Sequence, residues 1–250
     1  KYPRKSILDK KSDHIKDKKF GFFHSQNTFF DEVANELGMV DSNGEYMRHP
    51  LAYLVEAADD ICYTLIDFED GINLGWISEE YALEFLIRLV KDSIDTKKYN
   101  SLKHKTDRVA YLRALSVNTL INDTVKIFLK NEEKILNGEF TKTLLSESVF
   151  KAQMEDIIDI SVKKVYNSKE VIEKELKGYQ VIHKLLSVFI KAAVNNQSDN
   201  TTALDDLVLA SLPKTYIHKE GDLYNQLLDI SCFVASLTDG NALEWYNKIS

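Results

Sequence analysis

Apolar residues recur at three- and four-residue intervals along most of the chain, and almost nowhere with the alternation of a half-buried strand. That rhythm predicts helices over about 27–37, from Pro50 to about 70, and over 78–92, 107–136 and 148–165. It continues with 171–195, 203–211, 222–238 and 241–249. Stop and start signals sit where the rhythm breaks. Gly38 and Asn137-Gly138 close helices, Pro50 fits a first turn, and Ser78 before Glu79-Glu80 fits an N-cap. Only Phe20–Phe23 is compatible with a short strand. The expected fold is therefore all-α, a multi-helix bundle with at most a short strand near its start. Residues 1–26 read as an irregular arm and 27–250 as one helical domain, because no shift of composition divides them.

Composition adds compartment and charge. With 250 residues, 44% hydrophobic and 28% charged, the chain can bury a sizeable core. The net charge of −7 argues against general affinity for nucleic acid or anionic membrane, and leaves nucleic acid undecided as a partner. The charge is uneven: residues 1–19 carry seven lysines and Arg4 against three aspartates, so a basic arm precedes an acidic body. Cys62 and Cys232 fall in apolar helical patterns and are expected to be buried free thiols, as in a reducing compartment. No apolar run is long enough to span a membrane and no secretory signal is present, so a cytoplasmic protein is expected.

The helix after Pro50 departs from an ordinary amphipathic pattern. It holds Glu56, Asp59, Asp60, Asp67, Glu69 and Asp70, while no lysine or arginine lies between Arg48 and Arg88. With Asp59 as origin and ~100° per residue, Asp70, Tyr63, Glu56 and Asp67 fall between about 20° and 80°. Leu54, Ala58, Ile61, Cys62, Leu65 and Phe68 fill about 180° to 300°, the expected core face. Like charges at these spacings cost a few tenths of a kcal/mol per pair. The stripe is either a solvated acidic face, paired with the arm or not, or a site for a hard divalent cation, which takes carboxylate oxygens as ligands.

Other candidates carry less. The chain has no glycine-rich phosphate loop, no Cys-X-X-Cys pair and no His-Glu-X-X-His helix. His49 is placed to cap or pack against the helix that follows it, and His24 reads as a loop residue. Arg108 and Arg113 read as surface ion-pair partners, and Tyr166 and Tyr179 as core or subunit packing.

The run Arg48-His49-Pro50-Leu51 followed by Glu56-Ala57-Ala58-Asp59-Asp60-Ile61-Cys62-Tyr63 resembles a signature of the bacterial dGTP triphosphohydrolases. These are members of the HD-domain superfamily of metal-dependent phosphohydrolases. The likeness extends to Asp67-Phe68-Glu69-Asp70-Gly71, to Lys1-Tyr2-Pro3 and Lys19-Phe20-Gly21, and to Val165-Tyr166-Asn167-Ser168 with Glu175 and Gly178-Tyr179. It closes with Leu237-Thr238-Asp239 and Ala242-Leu243. The resemblance spans nearly the whole chain and is to the family's C-terminal half. It implies an HD-type helical bundle that hydrolyses a deoxynucleoside triphosphate, dGTP above all, to deoxynucleoside and triphosphate. It also implies a divalent metal, magnesium or manganese, and a homo-oligomer such as a hexamer. Asp59 matches the metal-binding Asp, Tyr63 the residue that packs on the deoxyribose, and Asp67 the one that contacts its 3′-hydroxyl. Lys1, Tyr2 and Lys19 match the triphosphate contacts. The family's His-Asp pair has no counterpart, since the chain contains no His-Asp dipeptide. Gly240-Asn241 also stands where the family often has Arg, which bears on dGTP preference. A broader deoxynucleotide phosphohydrolase and a non-catalytic nucleotide-binding subunit are the alternative expectations.

Overall fold

The computed structural model describes residues 21–216 and 222–249, with Lys11 and Ile15. Helix follows helix: α1 (Asn27–Glu36), α2 (Pro50–Asn73), α3 (Glu79–Val90), α4 (Thr96–Ser101), α5 (Lys105–Lys130), α6 (Glu132–Leu136) and α7 (Lys151–Ser161). Then come α8 (Lys169–Gln197), α9 (Ala203–Ala210), α10 (Leu223–Ser236) and α11 (Asp239–Lys248). Among the described residues there is no strand. A single antiparallel bridge joins Val40 to Tyr46. The expected strand is not formed over Gly21–Phe23, where Phe22 instead stacks on Phe30 with ring centroids 4.4 Å apart; Phe20 lies outside the described residues.

The helix expected over 107–136 is two, because Asn131 leaves helical geometry (φ −110°, ψ 13°) and its amide side chain donates back to the Ile127 carbonyl. The helix expected over 148–165 begins three residues later, after Ser148 Oγ accepts from the Phe150 amide. It ends in a π-helical turn, Val162–Tyr166, in which the Asn167 amide reaches the Val162 carbonyl five residues back. The sequence pattern missed α4, a six-residue helix whose start is held by the Asp95 carboxylate accepting from the Lys97 and Lys98 amides.

The chain divides into two compact units, Lys1–Ser168 and Lys169–Ser250. In the first, α2 packs against α5 and α7, and α3 against α5. Ile61, Leu65, Phe68 and Ile72 of α2 meet Leu86 and Leu89 of α3, Leu112 and Leu120 of α5, and Ile157 of α7. In the second, Val181, Leu185 and Phe189 of α8 pack with Val208 of α9, Phe233 of α10 and Trp245 near the chain end. Phe189, Phe233 and Trp245 form a mutual edge-on triad with centroids 5.4 to 5.8 Å apart, the favoured geometry for aromatic quadrupoles. Tyr179, expected in core or subunit packing, is 81% exposed and so lies outside the core. No helix among the described residues is long and apolar enough to cross a membrane.

The entry to α2 is fixed by two side chains. The His49 ring accepts from the Leu51 amide at its Nδ1, so the expected cap is formed. Arg48 is buried, lies 4.4 Å over the Tyr53 ring, donates to the Ala52 carbonyl and pairs with Glu56 at 2.7 Å. Glu56 therefore leaves the acidic stripe, and its cation stands eight residues before it. At the other end of α2, Gly71 lets the helix close onto its neighbours: a Cβ there would lie 2.6 Å from Val165 Cγ2 and 2.9 Å from Ile77 Cδ1. Both neighbours are buried and cannot swing away. Replacing Gly71 by Ala gains up to about 1 kcal/mol of helix propensity but overpacks this contact by about 1–3 kcal/mol. Chemical denaturation of the variant is expected to show net destabilisation of about 1–2 kcal/mol with an unchanged m-value.

Candidate functional site

Burial of α2 is rotated from the expected setting. Tyr53, Ala57, Ile61, Thr64, Leu65, Phe68, Gly71 and Ile72 are its buried positions, which centres the core near 180° from Asp59 rather than 240°. Tyr53 and Thr64, read as part of neither face, are inside. Ala58 and Cys62, expected in the core, are exposed, and so is Cys232. The expectation of buried thiols is corrected accordingly. At Cys62 the cause is its position about 300° round the wheel, beyond the edge of the true core face.

This setting points Asp59, Asp60 and Tyr63 into an open groove of about 570 Å³. The α2 wall carries Thr64 as well, and the segment before α7 contributes Thr143, Leu145 and Ser146. Lys151, Met154, Glu155 and Ile158 of α7 form the facing wall, and Tyr166 completes the lining from the π-helical turn. Asp59 is exposed and has no hydrogen-bond or ion-pair partner among the described residues. Tyr63 is 65% exposed. Asp67, one turn further along, is half-buried and accepts a short hydrogen bond from the Tyr166 hydroxyl. Burial first, and then the neighbouring Asp67 carboxylate, hold the Tyr166 phenol well above its ordinary range, so it stays a donor.

The helix's carboxylates thus part company. Glu56 of the stripe is taken by Arg48 and Asp67 by Tyr166, Glu69 outside the stripe by Arg113 at 2.5 Å, while Asp59 at the groove has no partner among the described residues. Arg108 pairs with Glu79 at 2.6 Å, so both arginines of α5 are ion-pair partners as expected. The structure brings Asp59, Tyr63 and Asp67 to one side of α2; Lys1, Tyr2 and Lys19 lie outside the described residues. Two groove residues were not legible as such. Tyr166 stands 99 residues from its partner, beyond any local spacing. Lys151 is one surface lysine among many in the sequence; here it lines the groove, and its ammonium is only loosely held by Glu155, at 3.7 Å.

As a place for a divalent cation the groove is incomplete. Asp59 supplies a hard oxygen ligand of the right kind, but among the described residues no three His, Cys, Asp or Glu side chains gather closely enough to hold a metal. The π-helical turn matters to the rest of the site. One extra residue in the turn sets the rotation of Tyr166 relative to α7, and so its reach to Asp67.

Fold and groove define an all-α protein whose site is built from carboxylates, phenols and one loosely held lysine. Comparison with known proteins then specifies the kind. Across its whole length the chain is 29% identical, over 256 residues, to a deoxyguanosinetriphosphate triphosphohydrolase-like protein of Synechocystis sp., and covers 57% of that protein. A protein of the same name from Pseudomonas aeruginosa is 30% identical over 240 residues, 93% of this chain and 54% of the relative. The deoxyguanosinetriphosphate triphosphohydrolase of Serratia proteamaculans is 31% identical over 188 residues, 69% of this chain and 36% of the relative. No family profile matches the chain. The chain spans about half the length of the curated relatives it matches, and the matched part is their C-terminal one. It is a relative of the bacterial dGTP triphosphohydrolases.

The Asp67–Tyr166 contact can be tested by titration. Because the folded-state phenol pKa is raised, this bond stabilises the fold fully below the ordinary tyrosine range and loses that contribution as pH rises through the folded value. Tyrosinate absorbance of the wild type should therefore show a late-ionising fraction, also fed by the buried Tyr53, whose phenol is raised by burial. Replacing Tyr166 by Phe should lower that late-ionising fraction by one tyrosine and cost about 1–2 kcal/mol of stability at neutral pH, measured by denaturation.

Proposed function

We propose that the protein to which this chain corresponds hydrolyses a deoxynucleoside triphosphate, dGTP first among them, to the deoxynucleoside and triphosphate. The observation that carries the reading is the whole-length match to a relative named for that activity, and it is supported by a groove that Asp59 and Tyr63 line, with Asp67 one turn beyond, bonded to the groove residue Tyr166. In this reading Asp59 is one ligand of a divalent cation, and the remaining ligands come from outside the described residues. When bound, such a cation lowers the pKa of the attacking water and offsets charge on the phosphoryl oxygens.

The residues of this chain would bind and orient. Tyr63, exposed at the groove, packs on the deoxyribose, and its flat ring excludes a bulkier 2′-substituent. Asp67, held in place by the Tyr166 hydroxyl, accepts from the sugar 3′-hydroxyl. Lys1, Tyr2 and Lys19 take the triphosphate, for which cationic and phenolic donors suit anionic oxygens. Lys151, loosely paired on the facing wall, adds a further cation at the groove. The assembly is a homo-oligomer. Gly240 and Asn241, standing where the family often has Arg, favour a wider range of deoxynucleotide bases than dGTP alone.

Assays with the native gene product should find tripolyphosphate as the phosphorus product; pyrophosphate or orthophosphate would sink the reading. Asp59→Ala should lower kcat at least about 100-fold, the scale of losing a transition-state charge stabiliser, and reduce bound metal. Tyr63→Ala and Asp67→Ala should chiefly raise KM for deoxynucleotides and weaken their discrimination from ribonucleotides. Unchanged metal content and turnover in Asp59→Ala would refute the assignment.

A further inference from the structure

Helix α8 carries a glycine, Gly178, in the interior of its 29 residues. Glycine weakens a helix interior relative to alanine, and its usual reasons for standing there are a left-handed backbone or a close approach that a Cβ would block. Neither applies to Gly178. Its φ is not positive, and a Cβ built on it would meet no neighbouring atom within 4 Å. What the missing side chain leaves is space. Gly178 lines a cavity of about 320 Å³ between α8 and α11 of the second unit. That volume falls at the small end of the range of about 300–1,000 Å³ in which small-molecule sites lie. On α8, Lys174 stands one turn before the glycine, Lys177 beside it, and Val181 and Ile182 one turn after. Facing them, α11 offers Asp239 and, one turn on, Ala242 and Leu243.

The lining sorts by chemistry. Val181, Ile182, Ala242 and Leu243 make an apolar floor. Lys174 has no ion-pair or hydrogen-bond partner among the described residues, and neither has Asp239. The Lys177 ammonium lies 4.7 Å from the centre of the Tyr246 ring and pairs with no carboxylate among them. A lysine is a compact point charge that attracts an anion without the planar fork of an arginine. Two lysines against one aspartate leave the lining a formal charge of +1. One negative charge matches that balance, whereas a triphosphate would bring several past the Asp239 carboxylate. The lining also holds no hydroxyl, amide, imidazole or guanidinium side chain, so it offers nothing to fit a sugar or the edge of a base. We infer that this cavity binds an amphiphilic monoanion, a carboxylate carried on an acyl or aryl body. The head lies at Lys174 and Lys177, and the body fills the space over Gly178 against the apolar floor. The inference rests on the cavity alone, and on neither the relatives nor the reaction proposed above.

Titration calorimetry on the native gene product, without nucleotide, tests it with octanoate for the acyl body and 2-naphthoate for the aryl one. Saturable binding of either, at one site per chain, is expected, and the tighter of the two names the body. The uncharged counterpart, 1-octanol or 2-naphthol, should bind at least about tenfold more weakly, because it lacks the charge that the lysines attract. Gly178→Leu places a side chain in the cavity and should weaken carboxylate binding at least about tenfold. The melting temperature of the ligand-free protein should hold or rise in that variant, since leucine favours helix over glycine. Replacing Lys174 and Lys177 together by Gln should bring the preference for the carboxylate over its uncharged counterpart close to unity. Absence of binding by both carboxylates, equal affinity for the uncharged compounds, or full affinity retained in Gly178→Leu overturns the proposal. So does displacement of the carboxylate by a non-hydrolysable dGTP analogue, which would assign the cavity to a nucleotide. Heats of binding without turnover do not depend on hydrolysis, so failure of this inference and failure of the proposed activity are separable.

Discussion

Helix α2 buries a single face against α5 and α7, and the angle at which it does so decides what every other residue of the helix can be. Ile61, Leu65, Phe68 and Ile72 commit to the core. A helix has only 360° to distribute, so the commitment leaves two further arcs. One turns Asp59, Asp60 and Tyr63 to the groove, and the other turns an apolar stripe to solvent. A helix serving three environments has little tolerance for rotation. About 60° of turn, less than one residue step, would move Cys62 inward and Tyr53 outward. Gly71 and the Arg48–Glu56 pair hold the two ends of that setting.

Much of this was legible in the sequence, for reasons that differ by residue. Long helices were readable because their apolar positions repeat over several turns, as in α8 and α10. The His49 cap was readable because capping is local. Asn131 and α4 were not, because one residue's departure from helical geometry, or a six-residue helix capped by an aspartate, leaves almost no periodic signal. The Cys62 error has a plain origin: a thiol counts as apolar, and the wheel placed the core by averaging over Ala58 and Cys62 as if both were inside.

The candidate site divides in the same way. Asp59, Tyr63 and Asp67 share a helix, so their common side followed from spacing alone. Tyr166 and Lys151 reach the groove only because the chain returns, and no interval within α2 could announce them. The acidic stripe looked uniform in sequence because the charges that neutralise it lie elsewhere, at Arg48 and at Arg113. Folding sorts four of the helix's six carboxylates into two ion pairs, one hydrogen-bond acceptor and one, Asp59, with no partner among the described residues.

The Arg48–Glu56 pair also constrains how this protein can change over generations. Both side chains are almost wholly enclosed, and two guanidinium nitrogens, Nε and Nη1, have no hydrogen-bond partner among the described residues. Losing either member alone strands a buried charge at a cost of about 3–5 kcal/mol, a large part of the 5–15 kcal/mol that holds a typical domain together. Replacing both at once by apolar residues of similar volume can be neutral. Descendants of this sequence can therefore abandon the pair only by a concerted double change or through a weakened intermediate. The entry to α2 is a point where drift is slow and the two positions travel together.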